Sequence, residues 1–221
     1  MSVVAVVGLK REAAIVSGPQ IISVIAGNSG VLRQRIQGVL DTHVRGVISI
    51  GIAGALSPAL EVGDCIVASV IVTKVARFDT DNGWTTRLRQ SLPDPRVAPI
   101  AGVGKIAATI EDKAALRKET GAEAIDMESH IAAAVARECG LPFAALRVIS
   151  DSADHTLPPA ALVAMKPDGG VALGRVLKSL AFKPTQIPAL IRTGRDSEKA
   201  FAALLRCRDA LGPALGCPYL G

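Results

Sequence analysis

Short apolar runs alternate along most of the chain with segments whose apolar residues recur at helical spacing. Runs that are apolar throughout are typical of strands covered by helices on both faces. They predict strands at Val3–Val7, Ile21–Ala26, Gly46–Ile50, Cys65–Val75, Val97–Val103, Ala122–Ile125 and Phe143–Ile149. The helical spacing predicts helices at Gly30–Leu40, Glu111–Thr120 and Met127–Cys139. This alternation favours the α/β class and a three-layer α/β/α sandwich.

The last third of the chain has a different pattern. Ser152–Pro159 contains two prolines and no periodicity, which predicts a loop. Helices are expected at Gly174–Leu180 and about Ile187–Arg208, followed by a loose tail, Gly212–Gly221. The second helix is amphipathic and basic, so it could lie on a membrane surface. We favour the alternative, in which its apolar face packs on the core like that of an ordinary surface helix.

The composition fits a single domain over residues 1–221, with its core at 3–180 and a helical extension at 184–210. Of the 221 residues, 49% are hydrophobic but only 3% aromatic, so the core must consist mainly of aliphatic side chains. The net charge of +5 comes from scattered Lys and Arg residues, and aromatic residues that could stack on bases are almost absent. We therefore expect no nucleic-acid partner, and an anionic substrate or a membrane surface fits the charge better.

Neither a metal nor a membrane span is expected. The four cysteines, Cys65, Cys139, Cys207 and Cys217, lack the spacing of metal ligands. Cys65 and Cys139 lie in apolar contexts and are interpreted as buried free thiols, which makes the reducing cytoplasm the expected location. No run approaches the roughly 20 apolar residues that span a bilayer. The apolar start of the chain is interpreted as a buried strand, because no basic region precedes it.

A first candidate for chemistry lies where Ala124–Ser129 turns from strand to helix. Asp126 or its neighbour can cap the helix, which places Glu128 in the first turn. There the free backbone N–H groups and the helix dipole favour an ionised carboxylate, which can accept hydrogen bonds from two vicinal hydroxyls of a ribose. The ordinary alternative is an acid that serves only the helix end, and the residue alone favours that alternative.

A second candidate, Asp151, follows the predicted strand Phe143–Ile149. Open α/β sheets place their ligands at the carboxyl ends of such strands. A carboxyl group partly withdrawn from water can hold a proton and donate it to a leaving group. The alternative is that Asp151 caps a turn or the following loop.

A third candidate is the segment Gly46–Leu56, followed by Val62–Asp64, which predicts a strand, a glycine-rich turn and a second strand. Such a turn lets the backbone approach a flat or anionic ligand closely. The segment carries neither a dinucleotide fingerprint nor the Lys-Ser/Thr ending of a phosphate loop. A purely structural turn explains the spacing equally well.

Together these segments resemble the nucleoside phosphorylase and nucleosidase superfamily, especially the 5'-methylthioadenosine/S-adenosylhomocysteine nucleosidases. The resemblance rests on Gly51–Leu56 with Val62–Asp64, on Asp126–Glu128, and on Leu141–Asp151, and it spans roughly residues 3–180. It implies the nucleoside phosphorylase-like fold with a mixed central sheet and a small-molecule adenine nucleoside as substrate. It also implies a homo-oligomer in which neighbouring chains complete the pocket, with no metal and no organic cofactor.

A closer likeness is to the hopanoid-associated phosphorylases. It rests on Asp126–His130, Gly140–Phe143, Leu157–Leu162, Lys166–Gly170 and the Arg192–Arg208 tail. It implies adenosylhopane as substrate, a lipid-linked adenine nucleoside with a polycyclic group on the ribose 5' carbon. The low aromatic content would suit an aliphatic pocket for such rings, although the same residues fill ordinary cores.

The resemblance also implies residue roles. Asp151 would protonate adenine N7, and Ser150 would position the base or Asp151. Glu128 would bind the ribose hydroxyls, and Met127 would pack on the sugar face. The backbone at three further residues would approach the substrate: Gly51, Ala53 and Gly54. An acid at the base and a carboxylate at the ribose would stabilise both ends of the charge separation as the glycosidic bond breaks.

The nucleophile stays open between water and inorganic phosphate as a co-substrate. Glu12, within Gly8–Glu12, resembles the family residue that activates water, and a surface glutamate in a first helical turn is the competing explanation. Phosphate would need cationic or N–H donors, for which the candidates are Lys10, Arg11, Arg33 and Asn28–Gly30. The chain lacks the Gly-Asp-Pro loop of the phosphorylases, and Ile52 stands where the nucleosidases usually carry Ser. A non-catalytic nucleoside- or lipid-binding module on the same scaffold is the alternative to an enzyme.

Overall fold

The central strand of the protein, β3, spans Val44–Ala55 and pairs with three other strands. The computed structural model describes residues 1–27, 29–163, 169–170 and 172–220. The other strands of this part are β1 Ser2–Val7, β2 Ile21–Ile25, β4 Cys65–Val72, β5 Arg77–Asp79, β6 Arg96–Gly102, β7 Ala124–Asp126 and β8 Phe143–Asp151. Its helices are α1 Lys10–Val16, α2 Ser29–Gln37, α3 Asn82–Ser91, α4 Ile110–Thr120, α5 Ser129–Glu138, α6 Pro159–Leu162, α7 Leu173–Phe182 and α8 Ile187–Leu211, the last preceded by a 3-10 turn at Pro184–Gln186.

The strand pairings close into a ring. β1 lies parallel to β2 and β3, and β3 is also parallel to β8. β8 pairs antiparallel with β4, which continues parallel to β6 and antiparallel to β5. β6 is parallel to β7, and β7 returns to β3 in antiparallel register, with Ile125 opposite Gly54. The mixed central sheet is therefore confirmed, and its closure brings the ends of β3, β7 and β8 together.

Helices cover the sheet on both faces, as the uninterrupted apolar strands predicted. On one face α2 and α5 bury side chains such as Leu32 and Val135 against the strands. On the other face α3 and α8 bury Trp84 and Leu204. Because both faces of the central strands are removed from water, consecutive positions along them are apolar. The three-layer α/β/α sandwich is confirmed.

The glycine-rich segment Gly51–Leu56 lies almost wholly within β3, so the prediction of a turn was wrong. Pairing with β8 continues as far as Gly54 opposite Asp151, because ladder hydrogen bonds hold the backbone extended. The glycines allow close packing instead. A Cβ at Gly51 would overlap the carboxylate of Glu12, and one at Gly54 would lie 3.1 Å from Asp151 Oδ2.

Four elements were not predicted from the sequence: α1, α3, α6 and β5. In α3 only Trp84 and Leu88, one turn apart, are buried, and seven-residue α1 is too short for a repeating pattern. All four cysteines are free thiols. Cys139 is exposed and Cys65 half-buried, so their expected full burial was wrong.

The C-terminal helix packs on the core through the apolar face of its second half. Ala200, Phe201 and Leu204 of α8 are buried, as expected for a surface helix that packs one face. The residues after it do not form the expected loose tail. Trp84 Nε1 donates to the carbonyl of Leu215 (3.0 Å), whose side chain is buried. Within the described residues, no helix combines the length and apolarity needed to cross a membrane.

Candidate active site

A cavity of about 180 Å³ opens where β3, β7 and β8 end. Its polar wall carries four acids, Glu12, Asp126, Glu128 and Asp151, and the Ser150 hydroxyl. The remaining lining is largely aliphatic: Leu9, Ile52, Val103, Ile106, Ala107 and Leu157. A larger groove of about 420 Å³ lies beside the β4–β5 turn, but among the described residues no carboxylate lines it. The smaller cavity is therefore the candidate active site.

Asp126 caps helix α5, as the sequence predicted for Asp126 or its neighbour. Its Oδ1 accepts the backbone N–H groups of Glu128 (3.0 Å) and Ser129 (2.8 Å). Its Oδ2 accepts from Arg147 Nε at 2.8 Å and from the Ser129 hydroxyl. Burial alone would raise the pKa of Asp126, but the Arg147 charge and the Ser129 hydrogen bonds lower it. The cap is therefore an ionised, fully bonded carboxylate.

Arg147 is the buried cation that holds this wall together. Besides Asp126 it reaches the hydroxyls of Ser49 (2.6 Å) and Ser129 (3.2 Å) through Nη2, and the same nitrogen lies 3.6 Å from Glu128 Oε2. Sequence reasoning assigned it no role. The available signal was a guanidinium in the middle of an apolar strand, since such a charge is buried only when it is paired.

Glu128 occupies the position just before α5 and not its first turn. Its side chain makes no capping hydrogen bond and turns toward the cavity. Burial raises the pKa of Glu128 to about 7; attraction by Arg147 opposes this shift, and repulsion by Asp126 and Glu12 adds to it. The expected fully ionised carboxylate at a helix end is therefore corrected: near neutral pH this group is poised between its two forms.

Glu12 is buried, which rules out the surface-glutamate explanation. Its Oε2 accepts the backbone N–H groups of Gly8 (2.7 Å) and Leu9 (2.8 Å), and its Oε1 accepts that of Ile52 (2.7 Å). Burial raises the pKa of Glu12, while Arg147 and these three N–H groups oppose the shift. The backbone thus fixes the carboxylate in one orientation at the edge of the cavity.

The carboxyl groups of Glu12 and Glu128 both lie against Gly8. A Cβ at Gly8 would meet Glu128 Oε1 at 3.1 Å and Glu12 Oε2 at 3.4 Å. Glycine is therefore needed here because two acid side chains approach the backbone from different elements. The structure thus brings the N-terminal loop and the start of α5 to one site.

Asp151 forms an ion pair with a lysine that sequence reasoning missed. Lys113 Nζ, on a side chain that is 1% exposed, donates to Asp151 Oδ2 (2.7 Å) and to the carbonyls of Ser152 (2.7 Å) and His155 (3.0 Å). The three acceptors use all three ammonium protons. The Ser150 hydroxyl lies 3.3 Å from the other carboxylate oxygen, Oδ1. Asp151 is therefore held on both sides and remains 16% exposed toward the cavity.

The other predicted site residues divide into two groups. Met127, Ala53 and Gly54 line the cavity, whereas Gly51 lies behind it against Glu12. None of the phosphate candidates that the structure describes lines it.

The two arginines among the phosphate candidates are engaged outside the cavity. Arg11 pairs with Glu198 and stacks on Phe201, and Arg33 pairs with Glu138 beside the larger groove. Lys10 begins α1, where its backbone N–H donates to the carbonyl of Gly169 (3.1 Å). Asn28 lies outside the described residues. The surface ion pairs of the two arginines explain why proximity in the sequence did not bring them to the site.

Comparison with known proteins agrees with this architecture. Futalosine hydrolase of Helicobacter pylori strain 26695 superposes with a TM-score of 0.69 at 16% identity, over 95% of this chain and 97% of that protein. The 5'-methylthioadenosine/S-adenosylhomocysteine nucleosidase from S. pneumoniae gives a TM-score of 0.63 at 18% identity, over 94% and 99%. The corresponding enzyme of Campylobacter jejuni gives 0.63 at 14% identity, over 93% and 99%.

No curated protein sequence matches the chain. A family model described as the phosphorylase superfamily matches residues 31–181, which is most of the chain and includes β3, β7 and β8. The protein therefore belongs to the phosphorylase superfamily and shares its fold with the nucleosidases.

Proposed function

We propose that the protein cleaves the N-glycosidic bond of an adenine nucleoside. The observation that carries the proposal is the convergence of Glu128, Asp151 and Glu12, from three separate elements, on one cavity. A purine leaves poorly until it is protonated, and the sugar becomes cationic as the bond lengthens. Acids at the base and the sugar can stabilise both ends of that charge separation.

Asp151 is proposed as the proton donor to adenine N7, with Ser150 as its orienting neighbour. Because Asp151 is a carboxylate in its ion pair with Lys113, it must first take up a proton from solvent. After the transfer, Asp151 carries a negative charge, which the ammonium of Lys113 at 2.7 Å stabilises. Lys113 would thereby favour release of the proton to the base. Its two carbonyl acceptors keep the ammonium in place before and after the step.

Glu128 is proposed to bind the two ribose hydroxyls, with Met127 against the sugar face. An ionised carboxylate accepts both hydroxyl hydrogen bonds, so binding favours the deprotonated form. With a pKa of about 7, Glu128 loses its proton as the pH rises through neutrality. We therefore expect substrate binding to weaken below neutral pH.

Water is the proposed nucleophile, with Glu12 as the base that activates it. None of the described residues that line the cavity is a lysine or arginine, and four are acids. The two nearest cations, Arg147 and Lys113, are already hydrogen-bonded to protein acceptors. A phosphate dianion would meet repulsion without free cationic donors, whereas a neutral water would not. This favours hydrolysis over phosphorolysis, although the hopanoid-associated likeness carries the opposite expectation.

A lipid-linked nucleoside such as adenosylhopane is the proposed substrate type. The cavity of about 180 Å³ is small for a large ligand, so a polycyclic 5' group would extend past its mouth. Ile106, Ala107 and Leu157 offer an aliphatic path there. A substrate of this kind resides in a membrane, so we also propose peripheral membrane contact. We further propose a homo-oligomer, which the mass in solution would test.

The test is incubation of the purified protein with 5'-methylthioadenosine or adenosylhopane, with and without phosphate, followed by product masses. We expect free adenine and a ribosyl product of unchanged mass in both phosphate conditions. A phosphoribosyl product formed only with phosphate would reverse the choice of nucleophile. Substrates that bind but survive would instead support a non-catalytic binding module.

A further inference from the structure

Lys and Arg residues are scattered along the chain, but their excess over acidic residues falls in one segment. Residues 155–195 contain six Lys and Arg residues but a single acid, so they account for the whole net charge of +5. The remainder of the chain is balanced. The charged residues concerned are Lys166, Asp168, Arg175, Lys178, Lys183, Arg192 and Arg195, of which Lys166 and Asp168 lie outside the described residues.

Exposed apolar side chains gather in the same segment. Six of the fourteen large hydrophobic side chains that are exposed in the described part of the chain lie between residues 162 and 191. Phe182 is 77% exposed and Leu177 66%, and the others are Leu162, Val163, Ile187 and Ile191. A single exposed apolar residue needs no explanation, but a group of them with surrounding charges marks an interaction surface.

Helices α6, α7 and the start of α8 form one packed unit around Gln186. Its side chain is buried, and its Oε1 accepts the backbone N–H of Ala160 (2.9 Å). Its Nε2 donates to the carbonyl of Ser179 (2.8 Å). We call the exposed side chains of this unit the basic apolar face: Leu177, Phe182, Ile187 and Ile191 with Arg175, Lys178, Lys183, Arg192 and Arg195.

The basic apolar face adjoins the mouth of the candidate active site. Leu157 lines the cavity only two residues before α6, and its N–H donates to the carbonyl of Ala108 (2.8 Å) in the opposite rim. Arg192 Nη1 lies 3.1 Å from Nε2 of His155, in the loop that leads to this rim. A surface that meets this face would therefore lie next to the opening of the cavity.

The charge and the side chains of the face favour one kind of binding partner over others. A second copy of the chain, docked through the same face in a two-fold dimer, would place five cations against five cations. Single-stranded nucleic acid calls for several stacking aromatics, and Phe182 is the only aromatic side chain of the face. Cations interspersed with exposed Leu, Ile and Phe are the pattern that binds anionic lipid head groups and the acyl boundary beneath them.

We propose that the basic apolar face docks the protein on an anionic lipid surface and presents the mouth of the cavity to it. The docking element is thus the α6–α8 unit, and not the Leu190–Arg208 stretch as a whole, whose second half packs on the core. The inference deepens the proposed membrane contact. Vesicle binding does not require the proposed reaction, so either can fail without the other.

The test is sedimentation of the full chain with vesicles of phosphatidylcholine alone or mixed equally with phosphatidylglycerol. The variant combines Lys178→Glu and Lys183→Glu. The matched control combines Arg87→Glu and Arg89→Glu on α3, two exposed arginines with the same change in charge. We expect wild type and control to sediment with the mixed vesicles at low salt and to be released by high salt. The face variant should lose about tenfold or more in affinity, since each cation near an anionic surface contributes roughly fivefold.

A Phe182→Ser variant should weaken binding without changing its salt dependence, which separates the apolar contribution from the ionic one. Adenine release from 5'-methylthioadenosine without vesicles should be the same in all variants and serves as the check on folding. Wild type that stays in the supernatant, or equal losses in the face and control variants, would overturn the proposal. A change of oligomeric mass confined to the face variants would assign the surface to a second copy instead.

Discussion

The candidate active site and the basic apolar face are opposites in charge and in burial. The cavity is lined by four acids and by no lysine or arginine among the described residues. On the face all five charged side chains are cations, and all are exposed. The two regions lie on either side of the loop that carries Leu157.

This difference decides how each charge acts. In the cavity wall most charges have named partners at hydrogen-bond distance, as Arg147 has in Asp126 and Ser49. Removing one partner there leaves another charge buried without compensation. On the face the charges are screened by water and salt, so that each acts weakly and only their sum matters. Single substitutions should therefore have large effects in the cavity wall and small ones on the face.

The largest expected effect is on catalysis, from Asp151→Asn. The amide keeps the shape of the side chain but cannot donate the proton, a step typically worth about 10²–10⁴-fold in rate. We expect a fall of that size in adenine release, measured as product formed under saturating 5'-methylthioadenosine. The circular dichroism spectrum should be unchanged. Turnover close to that of the wild type would remove Asp151 from its assigned role.

Arg147→Met should give the largest loss of stability. It leaves Asp126 buried beside Glu12 and Glu128 without a cation, for a cost of about 3–5 kcal/mol in the free energy of unfolding. Urea denaturation measures it. Arg96→Met is the matched control, since it breaks a surface pair with Glu123 whose loss should cost much less. Equal losses in both variants would show that burial does not set the cost. If Arg147→Met fails to fold, the double variant with Asp126→Asn should recover part of the loss.

The raised pKa of Glu128 predicts that the stability of the protein depends on pH. Its pKa is raised from 4.5 in the unfolded chain to about 7, so the folded state holds the proton more tightly. The resulting stabilisation is complete below about pH 4.5 and is lost as the pH rises through 7, by up to about 3 kcal/mol. Glu128→Gln carries no titrating group and should flatten this fall. The free energy of unfolding should be measured for both proteins across this pH range. Parallel curves for the two proteins would contradict the raised pKa of Glu128.

Lys113→Met should cost less, about 1–3 kcal/mol of stability, because Asp151 is still 16% exposed and can be hydrated. Adenine release should fall as well, since the negative charge left on Asp151 loses its partner. Lys118→Met on the same helix is the control, because that lysine is exposed. Thermal denaturation and initial rates measure the two effects. A loss of activity as small as in the control would leave Lys113 a structural residue only.

The smallest expected effect is on the stability of the face variant Lys178→Glu with Lys183→Glu. Exposed substitutions away from packed features usually stay within about 0.5 kcal/mol. The unfolding midpoint should therefore hardly move, even though the net charge of residues 155–195 falls from +5 to +1. A large destabilisation would mean that these lysines are paired within the fold, and would break the contrast between the two regions.

Local pattern was sufficient for the layers of the fold and for part of the site. Apolar runs predicted the strands because burial on both faces leaves few polar positions in them. Asp151 and Glu128 could be proposed because each follows a strand at the edge where the sheet presents its ligands. The glycines of β3 were misread as a turn, since the sequence does not show that Glu12 and Asp151 approach them from other elements.

What the sequence by itself determined is the α/β sandwich and the residues at the ends of β7 and β8. Only the tertiary structure decided which groups meet there, namely Arg147 with Asp126, Lys113 with Asp151, and Glu12 with Glu128 beside Gly8. The physical reason is the distance along the sequence between the residues that interact. Periodicity and capping depend on neighbours within a few residues, whereas a buried ion pair depends on partners brought together by the closure of the sheet.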